Sequence, residues 1–205
     1  MSMRLKYSLT FLLASVLFLL SGCTKDDDTL QKQQDSIERY LTSSHVPRLI
    51  WEEELETSLE PEPPFYEKLE LDTYRYIATY YEPDRLTRTE VVSGSVVELR
   101  ITGYIFQGGS PKTDDVFFSN DEAVIAELVA KGLNTEFWST EPLVLKMGSN
   151  KIIKGLEISL YGCREGDTVE AYSTMADGYG GDDMGIVPSD SPIIWIYTIL
   201  SVKNE

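Results

Sequence analysis

Residues 152–167 read IIKGLEISLYGCREGD, and the chain runs on through DGYGG at 177–181 to GIVPSDSPIIWIYTIL at 185–200. An apolar pair, Ile152 and Ile153, stands ahead of a short segment that ends in the Gly-Cys turn at 162–163. Two apolar, β-branched runs follow, Asp167 to Thr174 and Ile193 to Val202, and both read as strands. Between them Tyr179 lies in a loop, flanked by two glycines. That is not a core pattern, and it marks Tyr179 as a candidate for function. Ile152, Ile153 and Leu156 also carry a plainer reading, because apolar residues beside a helix are usually buried.

Toward the N-terminus the strands continue. Residues 73–81, TYRYIATYY, are rich in β-branched and aromatic side chains and predict a strand. After the Ser93-Gly94 turn, SVVELRITGYIF at 95–106 alternates with the period of two of a half-buried strand. A Gly, Ser, Pro, Lys and Asp loop follows from 107 to 116. Asp121 to Lys131 predicts a helix with Asn120 or Asp121 as its cap, Val124, Ile125, Leu128 and Val129 as its apolar face, and Gly132 as its end. Residues 142–148 predict a further strand. Five or so strands around one helix make an α+β domain, an antiparallel sheet wrapped over a short helix, spanning residues 69–205. No internal repeat or second compact domain is visible.

The first 22 residues predict a lipoprotein signal peptide. Arg4 and Lys6 precede an uncharged apolar run from Leu9 to Leu20, then Leu20-Ser21-Gly22-Cys23. The run is shorter than the roughly twenty residues a spanning helix needs, and it ends in small residues suited to cleavage. Cys23 is then the lipidation site, as in bacterial lipoproteins, and the expected location is the outer membrane, lipid-anchored at the periplasmic face or the cell surface. Lys25-Asp26-Asp27-Asp28 reads either as a solvated tether or as an export signal to the surface. With Cys23 acylated, Cys163 has no intramolecular partner, and the expected role is that of a small buried hydrophobe.

Residues 23–68 are expected to form a tether, an amphipathic helix and an acidic linker. Leu30, Ile37, Tyr40 and Leu41 share one narrow helical face between Thr29 and Thr42, suited to packing on the domain. Residues 51–64 turn to Glu, Pro and Ser and read as linker. The chain has 18 basic and 34 acidic side chains. Such acidity implies solubility and repulsion between copies, hence a monomer, and it lacks the basic stripe that nucleic acid requires.

The stretch from Ile152 to Leu200, and more loosely from Val96, resembles the FKBP family of peptidyl-prolyl isomerases. Ile152-Ile153 with Gly155-Leu156 matches that family's V-I-x-G-W, Gly162 to Asp167 its G-M-x-x-G-[DE] turn, Gly178-Tyr179-Gly180 its A-Y-G, and the 185–200 segment its last loop and strand. Val116-Phe117-Phe118-Ser119 is similar to its F-D-S-S element. The resemblance implies a catalyst of X-Pro bond rotation that acts on proline-containing polypeptides during folding. It further implies that Tyr179 donates its hydroxyl and Ile153 its backbone N–H to the bound peptide, with Phe117 beside them. Ile101, Ile152, Leu156 and Trp195 then line the substrate pocket. No nucleophile, metal or proton transfer is needed, so no cofactor is expected, and His45 reads as a surface residue.

Three positions depart from the family pattern. Phe118 stands where the family has Asp, Leu156 where it has the pocket-floor Trp, and Ile101 where it has Tyr. Ser189 and Pro192 also differ. The Leu removes a large rigid aromatic surface, so weak catalysis is expected, and a non-catalytic FKBP-like peptide or protein binding module is the alternative.

Overall fold

The computed structural model describes residues 24–43, 47–50, 54 and 56–204. The expected signal peptide, the expected lipidation site Cys23, and His45 lie outside the described residues. Helix α1 spans Thr24–Ser43; strands β1 (Arg48–Leu49), β2 (Phe65–Lys68), β3 (Thr73–Ile77), β4 (Val96–Ile105) and β5 (Val116–Ser119) follow. Helix α2 (Glu122–Ala130), β6 (Leu143–Lys146), helix α3 (Lys154–Leu160), β7 (Thr168–Ser173) and β8 (Ile193–Lys203) complete the chain. The strands form one sheet in the order β1-β2-β3-β7-β8-β4-β5, with β6 also paired to β4. All pairings are antiparallel except β1 with β2.

Strand β8 sits at the centre, paired along nearly its whole length with β4 and with β7 on its other side. Its alternation divides the molecule. Ile193, Trp195, Tyr197 and Ile199 point to the face covered by α3, where they join Val97, Leu99 and Ile101 of β4 and Val169 and Ala171 of β7. Ile194 points to the opposite face, among Tyr66, Tyr74, Phe106 and Tyr172. This second face is covered by α1 through Ile37, Tyr40 and Leu41, all buried. Burying three such side chains contributes on the order of 5 kcal/mol before ordering costs. The amphipathic face expected on α1 is thus the one that docks, and Leu30 at its start is half-buried.

Helix α3 lies close on β3 and β7 because Gly155 lets it. A Cβ at that position would stand 2.8 Å from the Ser173 Cβ and Oγ. At the other end of α3 the Arg75 guanidinium, buried on β3, donates to the carbonyls of Ser159 at 2.9 Å and Tyr161 at 2.6 Å. These are carbonyls that a helix end leaves unpaired, and a cation there also complements the helix dipole. Glu67 of β2 pairs with Arg75 in turn. The following turn is held by Asp167, wholly buried, which accepts from Arg85 Nε at 2.9 Å and Nη2 at 2.7 Å, and from the Arg164 N–H at 2.7 Å. Cys163 is fully buried beside this network.

Four expectations change in detail. Among the described residues the sheet has eight strands rather than five or so: β5 is a full member, and β1 and β2, which flank the 51–64 stretch read as linker, pair with each other while β2 also pairs with β3. The strand expected over 73–81 stops at Ile77, because the Tyr80 N–H turns back to the Ile77 carbonyl and the Thr79 hydroxyl is drawn to Asp167 at 2.9 Å. The α1 helix begins at Thr24 rather than Thr29, so the segment expected to be a tether is part of the helix, with the exposed Asp27 and Asp28 near its N-terminus, where carboxylates are favoured. On α2, capped by Asp121 as expected, Ile125 is buried while Val129 is exposed.

Candidate active site

Glycine at position 103 of β4 opens the site. It falls on the α3 face of the sheet, where Leu99 and Ile101 precede it in alternation, and it presents no side chain there. Into that space lie the rings of Phe117 from β5 and Trp195 from β8, directly across from Gly103 in the register. The two rings meet edge to face with centroids 5.2 Å apart. Tyr179, carried on the loop after β7, completes the group by meeting Phe117 at 5.9 Å and 82°. Edge-to-face contacts of this kind satisfy the ring quadrupoles.

Seven residues were expected in the site from sequence, and the structure gathers them into one apolar cluster. Ile101, Phe117, Leu156 and Trp195 are buried in it, and Ile152, Ile153 and Tyr179 are half-buried at its edge. Ile153 stands at the N-terminus of α3. Its carbonyl accepts the first helical bond, from Glu157, while its own N–H donates no hydrogen bond among the described residues. The Tyr179 hydroxyl likewise has no bonding partner among the described residues, and partial burial raises its pKa above the ordinary phenol value. Two unengaged donors therefore flank an apolar surface. That arrangement can hold the carbonyls of an extended peptide without any proton transfer.

Phe118 alternates outward from Phe117 and is partly exposed. It lines a cavity of about 430 Å³ with Phe117, Trp138, Leu143, Val144 and Ile186. The cavity adjoins the aromatic group through Phe117. Leu156 and Ile101 lie behind this surface, buried in the same cluster as Phe117 and Trp195. Asp182 and Asp183, in the loop before β8, are exposed, and Asp183 accepts from the Gly185 N–H at 2.8 Å. Gly103 and Leu143 were missed in the sequence. A glycine at a core-facing position of an alternating strand is the signal that could have found the first.

A sequence profile of the FKBP-type peptidyl-prolyl cis-trans isomerases matches residues 88–200. Among solved structures, a peptidyl-prolyl cis-trans isomerase of Pseudomonas syringae pv. tomato superposes with a TM-score of 0.53 at 12% identity, covering 88% of this chain and 98% of that one. A structure of the three FKBP domains of a wheat protein aligns at 18% identity and a TM-score of 0.49, over 69% of this chain and 52% of that one. No curated protein sequence matches the chain. The profile spans more than half of the chain and takes in β4, β5, α3 and most of β8 together with Tyr179, so the chain belongs to the FKBP-type peptidyl-prolyl cis-trans isomerase family.

Proposed function

We propose that this protein catalyses rotation about X-Pro bonds in exported polypeptides, working as a monomer held to the outer membrane by lipid on Cys23. The single observation that carries the catalytic reading is the Phe117–Tyr179–Trp195 group seated on Gly103, with the Ile153 N–H and the Tyr179 hydroxyl unengaged beside it. An X-Pro amide is planar through resonance, and its rotation barrier is roughly 18–20 kcal/mol. Twisting the bond removes the resonance and leaves a less polar amide. An apolar surface favours that twisted state, since water stabilises the planar amide more.

In this reading the proline ring rests against Phe117 and Trp195, over the aliphatic floor of Ile101, Ile152 and Leu156. Tyr179 and Ile153 donate to the neighbouring peptide carbonyls and fix the chain about the twisting bond. Anchoring rests on the sequence, namely the Leu9–Leu20 run and Leu20-Ser21-Gly22-Cys23. Among the described residues no helix is long and apolar enough to cross a membrane.

A protease-coupled assay on X-Pro tetrapeptides, with the full chain in detergent, tests the activity. Acceleration that falls about tenfold in Tyr179→Phe, which keeps the ring and removes only the donor, is the expected result. A folded chain that gives no acceleration would instead make this a binding module. Labelling of cells with radioactive palmitate, lost in Cys23→Ser, tests the anchor.

A further inference from the structure

Gln33 projects from α1 to the loop that carries Tyr179. Its Oε1 accepts from the Met175 N–H at 2.8 Å, and its Nε2 donates to the Asp190 carbonyl at 2.6 Å. Met175 opens the 3-10 turn Met175–Asp177 that leads to Tyr179, and Asp190 lies shortly before β8 begins at Ile193. Gly180, the residue after Tyr179, bonds to the same two positions. Its N–H donates to the Met175 carbonyl at 2.9 Å, and its carbonyl accepts from the Asp190 N–H at 3.0 Å. Met175 and Asp190 are therefore joined twice, once through the backbone N–H and carbonyl of Gly180 and once through the Gln33 carboxamide. Asp190 is held with φ at +57°, a left-handed conformation that a non-glycine residue adopts at some cost unless its surroundings fix it.

A side-chain amide is what this bridge requires. Gln offers an acceptor and a donor on one rigid plane at the end of a long stem; Glu has no donor, and Lys has no acceptor. We infer that Gln33 is a positioning residue for the site: it holds the two roots of the Tyr179 loop at a fixed separation and so sets Tyr179 against Phe117. Helix α1 then has a second role beyond covering the far face of the sheet. The kinetic part of this inference rests on the isomerase reading; the structural part does not.

Two readouts on the full chain in detergent separate these parts. Hydrogen exchange followed by mass spectrometry reports order in residues 174–191, and tetrapeptide isomerisation reports kcat and KM. In Gln33→Leu, of similar volume, exchange across 174–191 should speed up while the Ile194 and Tyr172 regions stay protected, and kcat/KM should fall about tenfold. Gln33→Glu keeps the acceptor for Met175 and loses the donor to Asp190, so it should lie between. Gln31→Leu, on the exposed side of α1, should match the wild type. Unchanged exchange at 174–191 in Gln33→Leu would overturn the inference, and so would faster exchange with wild-type kcat/KM. A wild-type chain without isomerase activity would sink the isomerase reading instead, and the exchange comparison alone would then decide whether Gln33 holds the loop.

Discussion

Replacing Gly103 by alanine adds one methyl group at the place where Phe117 and Trp195 meet. The added Cβ would stand 2.6 Å from Phe117 Cζ and 2.6 Å from Trp195 Cζ3, with Phe117 Cε2 at 3.0 Å. Ordinary carbon contacts lie near 3.5–4.0 Å, so each ring must withdraw by about 1 Å. Both rings are buried, and Phe117 is held between Trp195 and Tyr179, so yielding toward the neighbouring cavity would break its edge-to-face contacts. Overpacking of this kind costs about 1–3 kcal/mol, partly offset by about 0.5–1 kcal/mol because alanine loses less entropy than glycine in a strand. A net loss of about 1–2 kcal/mol lowers Tm by roughly 2–8 °C for a chain of this size. Catalysis should suffer as well, since the displaced rings are the proposed seat of proline; kcat/KM should fall at least tenfold, about 1.4 kcal/mol of transition-state stabilisation. Thermal unfolding by circular dichroism and the tetrapeptide assay measure both. An alanine variant with wild-type Tm and wild-type kcat/KM would refute the seating of the rings on Gly103.

The remaining expectations concern groups away from the proline surface. Asp177 is buried, and burial pushes its carboxyl from the ordinary 3.8 up to about 6, against the opposing pull of Lys154 and the Thr73 hydroxyl. Its folded pKa is raised, so it favours the fold below about pH 4 and that contribution is lost as pH rises through about 6, at a cost on the order of 3 kcal/mol at neutral pH. Asp177→Asn should therefore be more stable than the wild type at pH 8 in urea unfolding, with the difference vanishing near pH 4; a variant less stable at pH 8 would contradict this. Asp167→Ala removes the partner of a buried Arg85 and should cost about 3–5 kcal/mol by the same measurement. The Cys163 thiol, pushed up to about 11 by burial, should resist Ellman's reagent in the native chain and react on unfolding in guanidinium.

The site was legible to the extent that it depends on local motifs. Tyr179 between two glycines, the Ile152-Ile153 pair and the Phe117 element could be named from the sequence, and they come together in one cluster. Gln33 could not, because it lies 142 positions from Met175 and 157 from Asp190, and a glutamine on the polar side of an amphipathic helix has no pattern of its own. Strands β1 and β2 were hidden for a similar reason. Their pairing is with each other and with β3, and the Glu- and Pro-rich segment that separates them gives no periodic signal.

The sequence by itself determined the fold class, the helix face of α1 and the order of the family motifs, since each depends on hydrophobic period, turn chemistry or contiguous residues. Tertiary structure decided where the 73–81 run would end, when Asp167 drew off the Thr79 hydroxyl. It also decided which glycine must stay bare and which glutamine reaches the site. Contacts across a sheet or between a helix and a distant loop are set by three-dimensional register, and no spacing along the chain encodes them directly.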